Sequence, residues 1–143
     1  MIDEEHTEQL VTEQQLAVLL NGDHVLLYDR SQALPEHQQE YIYKMERDMD
    51  RGIQLDGMLV ANPDPLQRAQ FVAGHLVLAL KQNRDAHAAA ACSYLAVRIP
   101  SLKQVRADDT PRGTKIELVF DQGYQMSVAV SLQDVKASLK NKH

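Results

Sequence analysis

PLQRAQFVAGHLVLALKQ (65–82), then NRD (83–85), then AHAAAACSYLAV (86–97): the fold turns on how these residues are read. Asn62-Pro63-Asp64-Pro65 is a firm break, with Asp64 placed as an N-cap and Pro65 at the first helical position. From there to Gln82 the apolar side chains Phe71, Val72, Leu76, Val77, Leu78 and Leu80 point around most of a helix, and a helix that is apolar all round must be covered all round. The spacing predicts a second helix over Ala86–Val97, ended by Pro100. A three-residue link makes the two an antiparallel hairpin. Ala69, Ala73 and Gly74, facing the run Ala88–Ala91, allow close backbone approach. The twelve most apolar residues, 69–80, rise about 18 Å as a helix, short of the roughly 30 Å of a bilayer's hydrocarbon core.

Downstream the periodicity changes. Lys103–Ala107, Lys115–Phe120 and Tyr124–Val130 read as strands, and Ile116, Leu118 and Phe120 alternate with polar neighbours, as do Tyr124, Met126, Val128 and Val130. Asp121-Gln122-Gly123 is a hairpin turn, and Asp108–Gly113 a looser one. Ser131 caps an expected final helix with Leu132, Val135 and Leu139 inward, and 140–143 is an expected mobile tail.

Upstream, Thr12 with Gln15 resembles a capping box, Val11 with Leu16 a hydrophobic staple, and Asn21-Gly22 a left-handed stop, so a helix is expected over 12–21 with Leu16, Leu19 and Leu20 inward. His24–Tyr28 reads as a buried strand. Pro35–Arg51 reads as a helix with the apolar stripe Tyr41, Ile42, Met45 and Met49 and with Gly52 as terminator. Residues 53–62 fit either a strand or an irregular segment. The expected class is α+β: a central antiparallel helical hairpin on a small, mainly antiparallel sheet with a C-terminal three-strand meander, and further helices at both ends, all in a single domain spanning 1–143 with 1–6 frayed.

With 143 residues, 44% apolar and 24% charged, the composition is that of an ordinary globular chain. Its net charge of -5 argues against a general binder of nucleic acid or anionic membrane. One cysteine excludes an internal disulfide. The acidic N-terminus lacks the pattern of a secretory signal, so a cytoplasmic location is expected.

Strong motifs are missing: there is no glycine-rich phosphate loop, no G-x-S-x-G and no H-E-x-x-H. Three constellations merit weighing. In a hairpin turning near Arg84, His75 lies nine positions before the turn and Cys92 eight after it, so an imidazole could activate a thiol. The competing reading makes Cys92 a small core residue and His75 a hydrogen-bonded imidazole, and it is the commoner outcome for a free cysteine. His37 and Glu40 share a helix face and could give two metal ligands, but matching ligands on other helices are missing. Asp48–Gly52 starts like a calcium loop and fails at Gly52 and Leu59.

From Arg98 onward eight bases face five acids, yet Phe120 and Tyr124 are the only rings on those strands and both are expected inward, which is poor for base stacking. These readings assign no catalytic, metal or cofactor residue. The expected role is a non-catalytic protein-interaction or regulatory module, with a protein partner or a second copy bound through the apolar helical hairpin, and without membrane or nucleic acid. The alternatives are a small enzyme or small-molecule binder with a pocket between hairpin and sheet using His75, Cys92 and His87, and a weak nucleic-acid binder through the basic C-terminal third.

Overall fold

The computed structural model describes residues 15–55, 57–120 and 127–131. The chain is α+β, with three helices and a mainly antiparallel sheet among the described residues. Its elements are β1 (Gln15–Leu20), β2 (Asp23–Asp29), α1 (Glu36–Asp50), β3 (Ile53–Leu55), β4 (Met58–Val60), α2 (Pro65–Lys81), α3 (Asp85–Arg98), β5 (Leu102–Thr110), β6 (Gly113–Phe120) and β7 (Ser127–Ser131). The main sheet runs β2-β1-β5-β6-β7, and β3 with β4 forms a separate two-stranded ladder. Within the main sheet only β1 and β5 pair in parallel, and all of 23–101 lies between them in the chain. That length is what a parallel connection demands.

The expected helix over 12–21 is overturned where it can be seen. Gln15–Leu20 is a strand between β2 and β5, and the expected cap at 11–14 lies outside the described residues. Leu16, Ala17, Val18 and Leu19 are all buried, on both faces of the sheet. A strand covered on both faces reads as a continuous apolar run, with no alternation to betray it. Asn21 and Gly22 both have positive φ, 52° and 87°, and link β1 to antiparallel β2 as a two-residue hairpin. The same dipeptide that suggested a helix stop is a strong signal for this turn.

β2 corrects the second expectation: it is a strand, as read, but not a buried one. It lies at the end of the described sheet, with Val25 45% and Leu27 50% exposed. Residues 53–62 resolve into a tight hairpin. Gly52, at φ 107°, ends α1 and turns the chain into β3. A Cβ there would stand 3.3 Å from both Leu59 Cδ1 and the Val60 carbonyl, so only glycine fits without displacement. The turn before β6 is tighter than expected, because β5 and β6 remain paired to Thr110 and Gly113. The expected hairpin at 121–123, the final helix and both chain ends lie outside the described residues.

α1 and α2 begin close to where proline and aspartate foretold. Asp64 accepts from the Gln67 amide at 2.8 Å while the Gln67 side chain accepts from the Asp64 amide at 2.9 Å, a complete capping box. α2 packs on α3 and reaches β6, β7 and β3; α3 touches β2 and α1. Leu76, Val77, Leu95, Val18, Val105, Ile116 and Leu118 are buried together in one core.

Two arginines fasten α1 to this core. Arg68 on α2 donates to Asp50 (2.7 Å), to the Glu46 carbonyl (3.3 Å) and to the Pro63 carbonyl (3.1 Å). Arg98 on α3 grips the Glu46 carboxylate through two nitrogens, at 2.7 and 3.1 Å, and lies over the Tyr43 ring. Forked pairs of this kind fix geometry as well as adding energy.

Asp109 ties three elements at the far end of the sheet. It accepts from Lys81 Nζ (2.6 Å), Thr114 Oγ1 (2.9 Å) and Asn21 Nδ2 (3.1 Å), and its own amide donates to Asn21 Oδ1 (2.8 Å). Lys81 foremost, then Asn21 and Thr114, hold its carboxyl down to about 2. Because the folded value lies below the ordinary one, the stabilisation is complete above about pH 4 and is lost as pH falls toward 2. The expected outcome for Asp109→Asn is a flatter acid limb in urea midpoints measured from pH 5 to pH 2; an unchanged acid limb would show that the cluster contributes nothing.

Candidate functional site

α1 meets the α2–α3 pair around a cavity of about 220 Å³. Three facts position it. The stripe of α1 brings Met45 and the buried Met49 to its inner side, while the next helical rows bring Tyr41, Lys44 and Asp48. Positions 71, 72, 75, 78, 79 and 82 of α2 contribute a face at helical spacing. The start of α3 adds Arg84, His87 and Ala91.

The wall is therefore apolar, from Met45, Met49, Phe71, Val72, Leu78, Ala79 and Ala91, and the polar groups are Lys44, Asp48, His75, Gln82, Arg84 and His87. A concave apolar surface with a few convergent polar groups is the usual form of a small-molecule site, though this one is smaller than the common range of roughly 300–1,000 Å³. His75 stands half-buried, its ring 4.5 Å from the Phe71 ring at an interplanar angle of 57°. One helical turn separates the two, so the contact follows from spacing alone. Lys44 and Asp48 form a 3.3 Å ion pair. Arg84 and His87 are exposed, at the turn into α3, whose N-cap position carries no side-chain hydrogen bond.

Of the residues singled out from the sequence, His75 and His87 line this cavity and Cys92 does not. Cys92 is fully buried, and burial pushes its thiol up to about 12, against a smaller opposing pull from the positive charge of Arg30. A thiol so placed is protonated at neutral pH and packs within the core. Its neighbour Ser93 is buried too, with Oγ 2.9 Å from both the Ala89 carbonyl and Gln38 Oε1. His37 and Glu40 stand exposed in the first turns of α1, and Asp48–Gly52 is the end of that helix. Among the described residues no three His, Cys, Asp or Glu side chains gather as metal ligands would.

On the polar face of the sheet, Arg106 pairs in register with Glu117, and Lys115 lies 3.7 Å from Glu117, so bases alternate with acids there. Phe120 is buried, and Tyr124 lies outside the described residues. No helix among the described residues is long and apolar enough to cross a membrane.

Sequence reasoning missed the contribution of α1. Lys44 and Asp48 carried a signal only as the polar flank of an amphipathic helix whose stripe held Tyr41, Met45 and Met49, and that pattern does not say which helix it will face. Compared with known proteins, the chain matches no family model, no curated protein and no solved structure, so its functional reading rests on this geometry.

Proposed function

We propose that the chain is a non-catalytic regulatory module that binds a small, largely apolar molecule in the cavity between its three helices. In this reading α2 and α3 run as an antiparallel hairpin across the apolar face of the sheet, and α1 closes the outer side. The cavity itself carries the proposal: about 220 Å³ of space with an apolar wall that includes Met45 and Met49, and a polar edge. Methionine walls adapt to ligands of varied shape. The buried, protonated thiol of Cys92 supports binding over catalysis.

The test follows methionine methyl resonances. Neutral apolar fragments such as indole are expected to shift Met45 and Met49 and to leave Met58, 68% exposed on β4, as an internal reference. Ala91→Leu, which adds three carbons to the cavity wall, is expected to weaken indole at least about tenfold, a loss of about 1.4 kcal/mol. Shifts confined to Met58, or equal affinity in Ala91→Leu, would overturn the reading.

A protein-interaction role has its own support. Met58 and Leu59 expose two thirds of their surface at the β3–β4 tip, and Val25 and Leu27 stand out on β2. Exposed apolar groups of this size are contact candidates. α2 offers less, since Phe71, Val72, Leu76, Val77 and Leu78 are buried within one chain. A self-associating form would therefore use β2 or the β3–β4 tip; light scattering at micromolar concentration, with and without Leu27→Lys, decides it.

A further inference from the structure

Resting on the cavity's being a ligand site, we infer that its ligand is a small carboxylate with an apolar body, the body filling the cavity and the carboxylate lying at Arg84. Size is the first constraint. An apolar cavity of about 150 Å³ takes one benzene ring, so about 220 Å³ suits a ring with a short tail or a medium-length acyl chain.

Charge is the second. Lining groups include two cations, Lys44 and Arg84, two histidines, His75 and His87, and one acid, Asp48. The Asp48 carboxylate already faces Lys44 at 3.3 Å, and that pair cancels. Arg84 enters no ion pair among the described residues. The remaining edge is positive on a chain whose net charge is -5, so an anion is favoured here by local groups against the overall field. A guanidinium matches a carboxylate through two parallel hydrogen bonds, which an alcohol or an amine cannot reproduce. With Lys44 held by Asp48, Arg84 is, among the described residues, the one cation of the lining outside an ion pair, which matches a single carboxylate.

The experiment compares octanoate, 3-phenylpropionate, octanol and octylamine by titration calorimetry on the full chain, with Arg84→Gln and Ala91→Leu as variants. The expected result is that octanoate and 3-phenylpropionate bind at least about fivefold tighter than octanol, that octylamine binds most weakly, and that Arg84→Gln brings the octanoate-to-octanol ratio close to one. Octanol binding as tightly as octanoate, or an undiminished ratio in Arg84→Gln, overturns the carboxylate inference and leaves the cavity as a site. Failure of all four probes to bind at millimolar concentration, or binding that Ala91→Leu does not weaken, overturns both. A preference between octanoate and 3-phenylpropionate separates acyl chains from ring acids within the class.

Discussion

Arg30→Met is expected to lower the stability of the chain by about 3 kcal/mol and the urea midpoint by roughly 1–2 M. Arg30 follows β2 directly, and its guanidinium reaches four backbone carbonyls at once. Nε donates to the Ala96 carbonyl in the last turn of α3 at 3.0 Å. Nη2 donates to Ile99 (3.0 Å) and to Leu102 (2.7 Å), across the link from α3 into β5, and Nη1 reaches the Gln15 carbonyl at 3.5 Å. The final carbonyls of a helix lack partners of their own, and a cation there also meets the negative end of the helix dipole. Methionine keeps much of the stem and removes the charged donor from all four carbonyls, of which that of Ile99 keeps the Leu102 amide at 3.0 Å. Bonds from a charged donor contribute roughly 1.5–3 kcal/mol apiece, but those sharing one side chain do not add, so the total is nearer one strong bond than three. Arg30→Lys restores the charge without the fork and should recover less than half. A loss under about 1 kcal/mol for Arg30→Met would show the arginine to be an ordinary surface residue, with the carbonyls satisfied by water.

This clamp marks the boundary of what the residues alone disclose. Arg30 stands in the sequence as part of a polar strand ending, and three of its four carbonyl partners lie 66 or more positions away, between the end of α3 and the start of β5. The start of α2, by contrast, is wholly local: Asp64 and Pro65 mark it in the sequence, and Gln67, within one turn, completes a capping box that sequence reasoning missed. β5 and β6 were legible because one face is dry and one wet, so Ile116, Leu118 and Phe120 alternate with partly or fully exposed neighbours. β1 was not, because burial on both faces erased the alternation, and Leu16, Leu19 and Leu20 then satisfied a helical spacing by accident. Asn21-Gly22 between two apolar runs is also a hairpin signal, and it competes directly with the helix expected over 12–21. β3 and β4, at three residues each, are too brief to show any period. Height within a helical pair singles out His75 but pairs it with Cys92, which lies outside the cavity, whereas Lys44 and Asp48 arrive from α1, whose placement depends on Arg68 and Arg98 meeting Glu46 and Asp50.

Cys92 should react with iodoacetamide at pH 8 at least about a thousandfold more slowly in the folded chain than in urea. Thiolate is the reacting species, and a thiol raised to about 12 from an ordinary 9.0 has roughly a thousandfold less of it at any pH well below both values. Its side chain is also wholly enclosed, so reagent meets it only when the core opens. The same shift makes the fold sensitive to alkali. The folded value exceeds the unfolded one, so the contribution is complete below about pH 9 and is lost between pH 9 and pH 12 as the unfolded chain ionises first. Three units at about 1.4 kcal/mol each give a total near 4 kcal/mol. Tyr94, also raised by burial, acts in the same direction above its own ordinary value. Cys92→Ala separates the two, because it keeps Tyr94 and removes the thiol. Its stability curve should therefore fall less steeply from pH 9 upward than that of the natural chain, and the difference between the curves is the thiol's share. Alkylation of the folded protein within tenfold of the unfolded rate would mean that the thiol is open to reagent, with a thiolate fraction near that of an ordinary cysteine. The case for a binding module over a cysteine-dependent enzyme would then fail, because a reactive sulfur two helical turns from the cavity edge at Arg84 and His87 is the arrangement that catalysis would use.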